Sequence, residues 1–235
     1  MLIDVSSRPN VAGIFHVGGP TTVLCMSENT PAAAAEVFGD RLALAEAYHQ
    51  SLATTAAERG FIGPKEVDRL WERHILNCAV IEDAFPRDAR IIDVGSGAGL
   101  PGVALAIARP DLDLHLVEPM HRRTEWLTEA ATEIGLDNVT VHRGRAEEFH
   151  GSMSAPFVTA RAVARLDKLA RWCFPLTEDG GQLVALKGRS AEEELAATTK
   201  ALRKAGLVSA VVSSHGEAVL EVPTLTVDCV VRQRR

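Results

Sequence analysis

Asp93 and four glycines, at 95, 97, 99 and 102, stand within the stretch RIIDVGSGAGLPG, residues 90–102, the densest concentration of potential chemistry in the chain. The apolar pair Ile91 and Ile92 leads in, and Val103, Leu105 and Ile107 resume at helical spacing, so the stretch reads as strand, tight turn and helix. Glycines in such a turn remove Cβ atoms that would block a sharp bend, and they let a ligand approach the main chain. Packing alone is a poor reason to keep four of them, because each adds chain entropy that folding must remove. The loop is therefore a candidate seat for a nucleotide-type cofactor. Glu118 closes the next apolar run, about 20 residues beyond the glycines, where a carboxylate accepts hydrogen bonds from both hydroxyls of a ribose.

Two cofactors compete for this seat. Residues 97–102, GAGLPG, satisfy GxGxxG, the dinucleotide fingerprint of an NAD-dependent oxidoreductase, which is a weak signal when it stands alone. Taken from Asp93 instead, an acid followed by glycines at alternate positions resembles the DxGxGxG motif of class I S-adenosylmethionine methyltransferases. The chemistry of the ligand separates the two. A pyrophosphate wants a helix N-terminus without a carboxylate beside it, whereas a cofactor carrying a sulfonium and an ammonium suits Asp93. The expected cofactor is S-adenosyl-L-methionine, held by Asp93, Gly95, Gly97, Gly99 and Glu118, with no metal.

Strand candidates at 90–94, 113–118, 139–143, 157–160 and 182–187 alternate with helices near 101–109, 120–135, 145–149, 165–174 and 190–205, as a parallel sheet with crossover helices requires. Segments 208–213 and 225–232 are strand-like, and the stretch between them, with Gly216 and Pro223, is too short for a crossover helix, so they should pair antiparallel. The expected fold is α/β, of the class I S-adenosylmethionine-dependent methyltransferase type: a seven-stranded, mostly parallel sheet with an antiparallel C-terminal hairpin, spanning 89–235.

A small helical N-terminal subdomain, 30–88, should precede it. Thr30 reads as an N-cap with Pro31 in the first turn, and Leu42, Leu44, Ala45, Tyr48 and Leu52 recur at helical spacing up to Gly60. A second helix is expected from Lys65 through Leu70, Trp71, Ile75, Val80 and Ile81, ending before Pro86. Residues 1–29 lack periodicity and read as a disordered leader, with Met26 as an alternative start.

A chain of 235 residues with 46% apolar and 24% charged side chains can bury a substantial core. Its net charge of −6 argues against broad, nonspecific nucleic-acid binding but leaves room for a local basic face, for which Arg122, Arg123, Arg143 and Arg145 are the candidates. Arg122 and Arg123 fit an ordinary exposed helix face equally well. The four cysteines at 25, 78, 173 and 229 are too far apart for a zinc ribbon or a CxxC pair, which fits reduced thiols in a cytoplasm. There is neither a signal-peptide pattern nor an apolar run of the roughly 20 residues needed to span a bilayer.

The acceptor is narrowed by missing tools. Methylation of an exocyclic amine is usually assisted by an Asn or Asp, then prolines and an aromatic residue, at the end of the fourth strand; here Thr159, Ala160, Arg161 and Ala162 stand there. Methylation of a pyrimidine carbon requires a nucleophilic thiolate, and Cys173, between Trp172 and Phe174, reads as core. What remains is an acceptor that is already nucleophilic, such as guanine N7, which needs positioning and no base. Arg161 and Lys187, both at strand ends, are candidates for phosphate or the guanine edge, and His74 is a weaker candidate for touching substrate.

These residues carry a more specific resemblance. Arg73-His74-Ile75-Leu76, DVGSGAGLPG, the Thr159–Arg161 end and Ala185-Leu186-Lys187-Gly188 together resemble the RsmG (GidB) family of 16S ribosomal RNA guanine-N7 methyltransferases, over about half the chain. The resemblance implies cofactor contacts at Gly95, Leu100, Ala146, Glu147 and Arg161, with the adenine near Ala146 and Glu147 and the Leu100 amide near the methionine carboxylate. It also implies a partner, 16S rRNA of the small subunit near the decoding site, a link to streptomycin response, and a monomer acting in the cytoplasm. A small-molecule methyltransferase is the other enzyme compatible with the motifs. No family counterpart is expected for residues 1–29.

Overall fold

The computed structural model describes residues 30–161 and 164–233; the expected leader, residues 1–29, lies outside the described residues. Seven strands form one sheet: β1 Arg90–Val94, β2 Asp113–Glu118, β3 Val139–Arg143, β4 Ala155–Arg161, β5 Thr177–Lys187, β6 Leu207–His215 and β7 Thr224–Val231, in the order β3-β2-β1-β4-β5-β7-β6. β1 to β5 run parallel, and β7 lies antiparallel to both its neighbours, β5 and β6. The order reverses between β1 and β4, and in an open sheet of this kind ligands bind where the strands end beside such a reversal.

The expected α/β fold is thus present, with β1, β2 and β3 at their expected bounds and β4, β5 and β6 longer than the pattern suggested. β5 begins at Thr177 rather than near Gln182, because a register shift opposite Ala155 and Phe157 lets polar residues 178–181 bulge within the strand. β6 continues to His215, whose ring bonds Thr226 Oγ1 at 2.9 Å and Asp83 Oδ1 at 2.6 Å and so ties the sheet edge to the helical segment.

The N-terminal segment is helical but broken. It comprises α1 Ala32–Phe38, α2 Leu42–Ser51 with a π turn Leu52–Ala56, a 3₁₀ stretch Pro64–Arg69, a π stretch Leu70–Leu76, the single turn α3 Asn77–Ala79, and a 3₁₀ turn Val80–Ala84. The second expected helix therefore changes pitch along its length. Its buried residues Leu70 and Ile75, and Trp71 and Leu76, lie five apart, the spacing a π turn places on one face. Thr30 is not the cap that its type suggests: Pro31 holds the N-cap position, and the Thr30 hydroxyl donates to Glu46 Oε1 at 2.7 Å.

Four helices cover the sheet: α4 Gly102–Ala108, α5 His121–Ile134, α6 Leu166–Cys173 and α7 Ala191–Ala205; the expected helix near 145–149 is a 3₁₀ turn, Ala146–Phe149. One core joins α4 and α5 to the N-terminal helices, so that Phe38, Tyr48, Leu70 and Ile75 pack in the same cluster as Ile91, Leu105 and Trp126. The other lies under α6 and α7 around Ile92, Val158 and Leu183. The alternation of β1, with Ile91 facing one core and Ile92 the other, explains its continuous apolar run.

α4 is buried from Gly102 to Ile107, enclosed between sheet and N-terminal helices. Asn138, at the entry to β3, directs its amide at the carbonyls of Ala106, Arg109 and Leu112, 3.3, 3.2 and 3.1 Å away. This clip satisfies carbonyls that the end of α4 leaves over. Asn138→Ala is expected to cost about 1–3 kcal/mol, read as a lower urea midpoint with an unchanged slope; an unchanged midpoint would show that the clip carries no net stability.

Candidate functional site

The site is built where β1 stops. Gly95, Gly97 and Gly99 adopt φ of 75°, 59° and 87°, which a side chain would strain, and the amides of Gly95 and Ser96 donate to Val117 O at 2.8 and 3.3 Å, drawing the turn toward β2. Gly102 is required for space instead. A Cβ there would lie 2.2 Å from Leu116 Cδ2 and 2.8 Å from Asp93 Oδ2.

Asp93 is fully buried. Its Oδ2 accepts the Gly102 amide at 3.0 Å, while its Oδ1 is buried with no hydrogen-bond partner. Burial pushes its carboxyl up to about 7 against the pull of the nearby Ser96 hydroxyl and the Gly102 amide, and the negative charge of Glu118 adds to the rise. An orphaned buried carboxylate oxygen is costly unless a donor or cation meets it.

Glu118, also buried, ends β2 beside the loop. Its Oε2 accepts the Gly97 amide at 3.0 Å, its Oε1 accepts the Met120 amide at 2.9 Å, and Arg123 Nη1 lies 3.8 Å from Oε2. Carboxylate oxygens accept more than one bond each, so the group remains able to take a hydroxyl pair. Glu118 suits the ribose of either cofactor, whereas Asp93 beside the loop disfavours a pyrophosphate and favours a cation. The residues present therefore fit S-adenosylmethionine, in that a buried carboxylate with an orphaned oxygen and a second acid with acceptor capacity flank the glycine turn.

Across the reversal, β4 ends in Arg161, which the structure brings together with His74. Arg161 Nη2 bonds His74 Nδ1 at short range, and its Nη1 bonds His74 O at 3.4 Å and Cys78 Sγ at 3.0 Å. The other ring nitrogen of His74, Nε2, lies 2.8 Å from Glu66 Oε2. Tyr48, the single tyrosine of the chain, is buried and donates to Ala98 O at 2.6 Å, bracing the loop from α2. Burial holds the Tyr48 hydroxyl and the Cys78 thiol above their usual pKa ranges.

Some expected site residues are engaged elsewhere. Lys187 is not offered to phosphate: its Nζ donates to Ala164 O and to Glu194 Oε1, each at 2.9 Å, and that Glu194 oxygen also accepts the Leu166 amide at 2.6 Å. The ammonium belongs to a nearly buried clamp on the start of α6. The Leu100 amide does not point free for a carboxylate; it donates to Ser96 O at 3.0 Å as the turn closes into α4, and its side chain joins the core. Arg122 and Arg123 flank Phe61, each guanidinium 5.8 Å from the ring centroid, with Arg122 exposed. Ala146 is buried at the 3₁₀ turn after β3, Glu147 is exposed there, and Arg143 and Arg145 are exposed beside it.

Tyr48, Glu66 and Cys78 escaped the sequence reading. Tyr48 carried a faint signal, as one hydroxyl on an otherwise apolar helix face; Cys78 had none, because its partner Arg161 is far away in sequence, and Glu66 had none, because its partner His74 gave no sign of meeting Arg161.

Comparison with known proteins follows the same lines. The profile of the family described as "GidB: rRNA small subunit methyltransferase G" matches residues 41–222. A Pseudarthrobacter chlorophenolicus protein named "Ribosomal RNA small subunit methyltransferase G" is 54% identical over 201 residues, covering 86% of this chain and 93% of its own. A protein of the same name from Corynebacterium efficiens is 51% identical and covers 95% of this chain and 96% of its own. That span reaches into residues 1–29, so part of that segment does have a counterpart there, which the sequence alone did not identify. Among solved structures, the S-adenosylmethionine-dependent methyltransferase SibL is similar with TM-score 0.56 at 19% identity, over 86% of this chain and 73% of that one. TYW2 of M. jannaschii, in complex with AdoMet, matches with TM-score 0.52 at 16% identity, over 68% and 76%. Both share the fold.

Gly102→Ala tests the loop. The added Cβ must displace the Asp93 carboxylate or Leu116, so S-adenosylmethionine affinity by calorimetry is expected to fall by roughly 100-fold or more, as for a misplacement of about 1 Å. Wild-type affinity in this variant would contradict the assigned geometry.

Proposed function

The chain belongs to the ribosomal RNA small subunit methyltransferase G family, and from that premise we propose that it transfers the methyl group of S-adenosyl-L-methionine to N7 of a guanine in 16S rRNA. The substrate is the rRNA of the small subunit near the decoding site, met by the protein as a monomer in the bacterial cytoplasm. No helix among the described residues is long and apolar enough to cross a membrane.

The observation that carries the choice of acceptor is the end of β4. Thr159 is buried with its hydroxyl donated to Val184 O at 2.9 Å, and Arg161 is bonded to His74 and Cys78, so this end supplies no carboxamide or carboxylate to an exocyclic amine. The thiols of Cys78, Cys173 and Cys229 are buried, and burial raises the pKa of each, that of Cys229 to about 12. A thiolate for attack on a pyrimidine carbon is not available from them.

Guanine N7 needs neither tool. Its in-plane lone pair is free of a proton, so displacement requires alignment and exclusion of water. The cofactor supplies a methyl group on a positively charged sulfur. Asp93 binds the positive end, the glycine turn at 95, 97 and 99 admits the ligand to the main chain, and Glu118 holds the ribose. Ala146 and Glu147 take the adenine edge at the end of β3. Arg161 and His74 face the acceptor from β4 and the helical segment, and Arg122, with Arg123 behind it, binds RNA phosphate beside Phe61. Asp93 speaks against the oxidoreductase alternative, since a dinucleotide would set its pyrophosphate beside that acid, whereas Glu118 suits the ribose of either cofactor.

Purified protein with labelled S-adenosylmethionine and small subunits from a deletion strain tests this directly. Expected is about one methyl group per subunit, recovered as 7-methylguanosine in nuclease digests, with that nucleoside absent from the strain's own 16S rRNA. Incorporation at a base other than guanine, or none, would refute the proposal.

A further inference from the structure

We propose that Glu66 is a positioning residue for Arg161, acting through the imidazole of His74. The proposal rests on the reading of Arg161 as a group that faces the acceptor. Its logic lies in donor and acceptor counting. A guanidinium carries donors only, so the His74 Nδ1 that meets Arg161 Nη2 must present a lone pair. The proton of a neutral ring then sits on Nε2, where Glu66 Oε2 accepts it at 2.8 Å.

Glu66, His74 and Arg161 thus form a chain of one polarity, carboxylate to imidazole to guanidinium. Arg161 has two further restraints, the His74 carbonyl at 3.4 Å and Cys78 Sγ at 3.0 Å, but both meet Nη1. The second arm, Nη2, is held through the ring, and the ring is held by Glu66. Oriented imidazoles elsewhere depend in the same way on a carboxylate at the far nitrogen. The His74 side chain is 13% exposed and that of Glu66 38%, so the anchor stands at the rim and the guanidinium further in.

Protonation would break the chain. A charged His74 donates from both nitrogens, so Nδ1 no longer receives Arg161 and two cations meet. The charged groups that act on the ring are Arg161 from β4 and, from its own helical segment, Glu66 and Arg73; Tyr48 of α2, Asp93 of β1 and Cys78 act in turn on Arg161. Burial and Arg161 hold the ring below its usual pKa, while Glu66 raises it. Activity is therefore expected to fall on the acid side as His74 gains its proton, and neutralising Glu66 should move that fall to lower pH.

Two measurements test the assignment. Imidazole ¹⁵N spectra of the protein without substrate should show His74 as a single Nε2–H tautomer in the wild type, and their pH titration should show its ring gaining a proton at lower pH in Glu66→Gln, whose amide oxygen still accepts but carries no charge. In methylation of small subunits, Glu66→Gln should retain the plateau kcat/KM within about threefold yet shift its acid limb to lower pH, while Glu66→Ala loses roughly tenfold or more on the plateau. An unshifted acid limb in Glu66→Gln overturns the proposal, as does an Nδ1–H tautomer in the wild type or a His74 titration that Glu66→Gln leaves unmoved. The spectra need no substrate, so they decide the matter even if methylation of small subunits is not observed.

Discussion

One half-satisfied carboxylate organises this protein. Asp93 sits at the end of the central strand, out of reach of water, with one oxygen bonded to the Gly102 amide and the other bonded to nothing. Leaving a carboxylate so placed costs free energy, and the fold accepts that cost at the point where the sheet order reverses. In the proposed function a cation meets the free oxygen and recovers that cost. On that proposal, binding selectivity follows from the interior of the protein rather than from its net surface charge.

The remaining architecture holds this arrangement still. Gly102 must lack a side chain because Asp93 and Leu116 occupy the space, and α4 starts there, enclosed by the N-terminal helices on its outer side. Those helices reach the glycine loop at Tyr48 and the end of β4 at His74, so the helical segment braces both as well as covering the core. Acceptor chemistry that needs no base allows such a site to consist of restraints, with few groups that exchange protons.

The parts of this design that were legible in the sequence are those encoded locally. The glycine turn, Asp93, Glu118 and the alternation of strands and helices each depend on neighbours in the chain, and the structure carries them all. What escaped was set by distant partners. Lys187 looked like a free cation at a strand end, yet Glu194 and the start of α6 claim it. Thr30 had the type of an N-cap, yet a carboxylate of the next helix takes its hydroxyl. His74 and Arg161, 87 residues apart, gave no sign of meeting, and Glu66 had no signal until the ring between them was in place. The change of pitch at Leu70–Leu76 shows the same limit, since burial of residues five apart overrides a pattern that resembles an ordinary helix.

The central claim, that Asp93 is kept for a cation, predicts a proton balance. With its carboxyl near 7, Asp93 is largely protonated at pH 6, and a positive ligand beside it must favour the ionised form. Calorimetric titration with S-adenosylmethionine at pH 6, in buffers of different ionisation enthalpy, should show release approaching about one proton per cofactor bound. The release should vanish in Asp93→Asn. Binding by the wild type without proton release, or the same release from Asp93→Asn, would contradict the account.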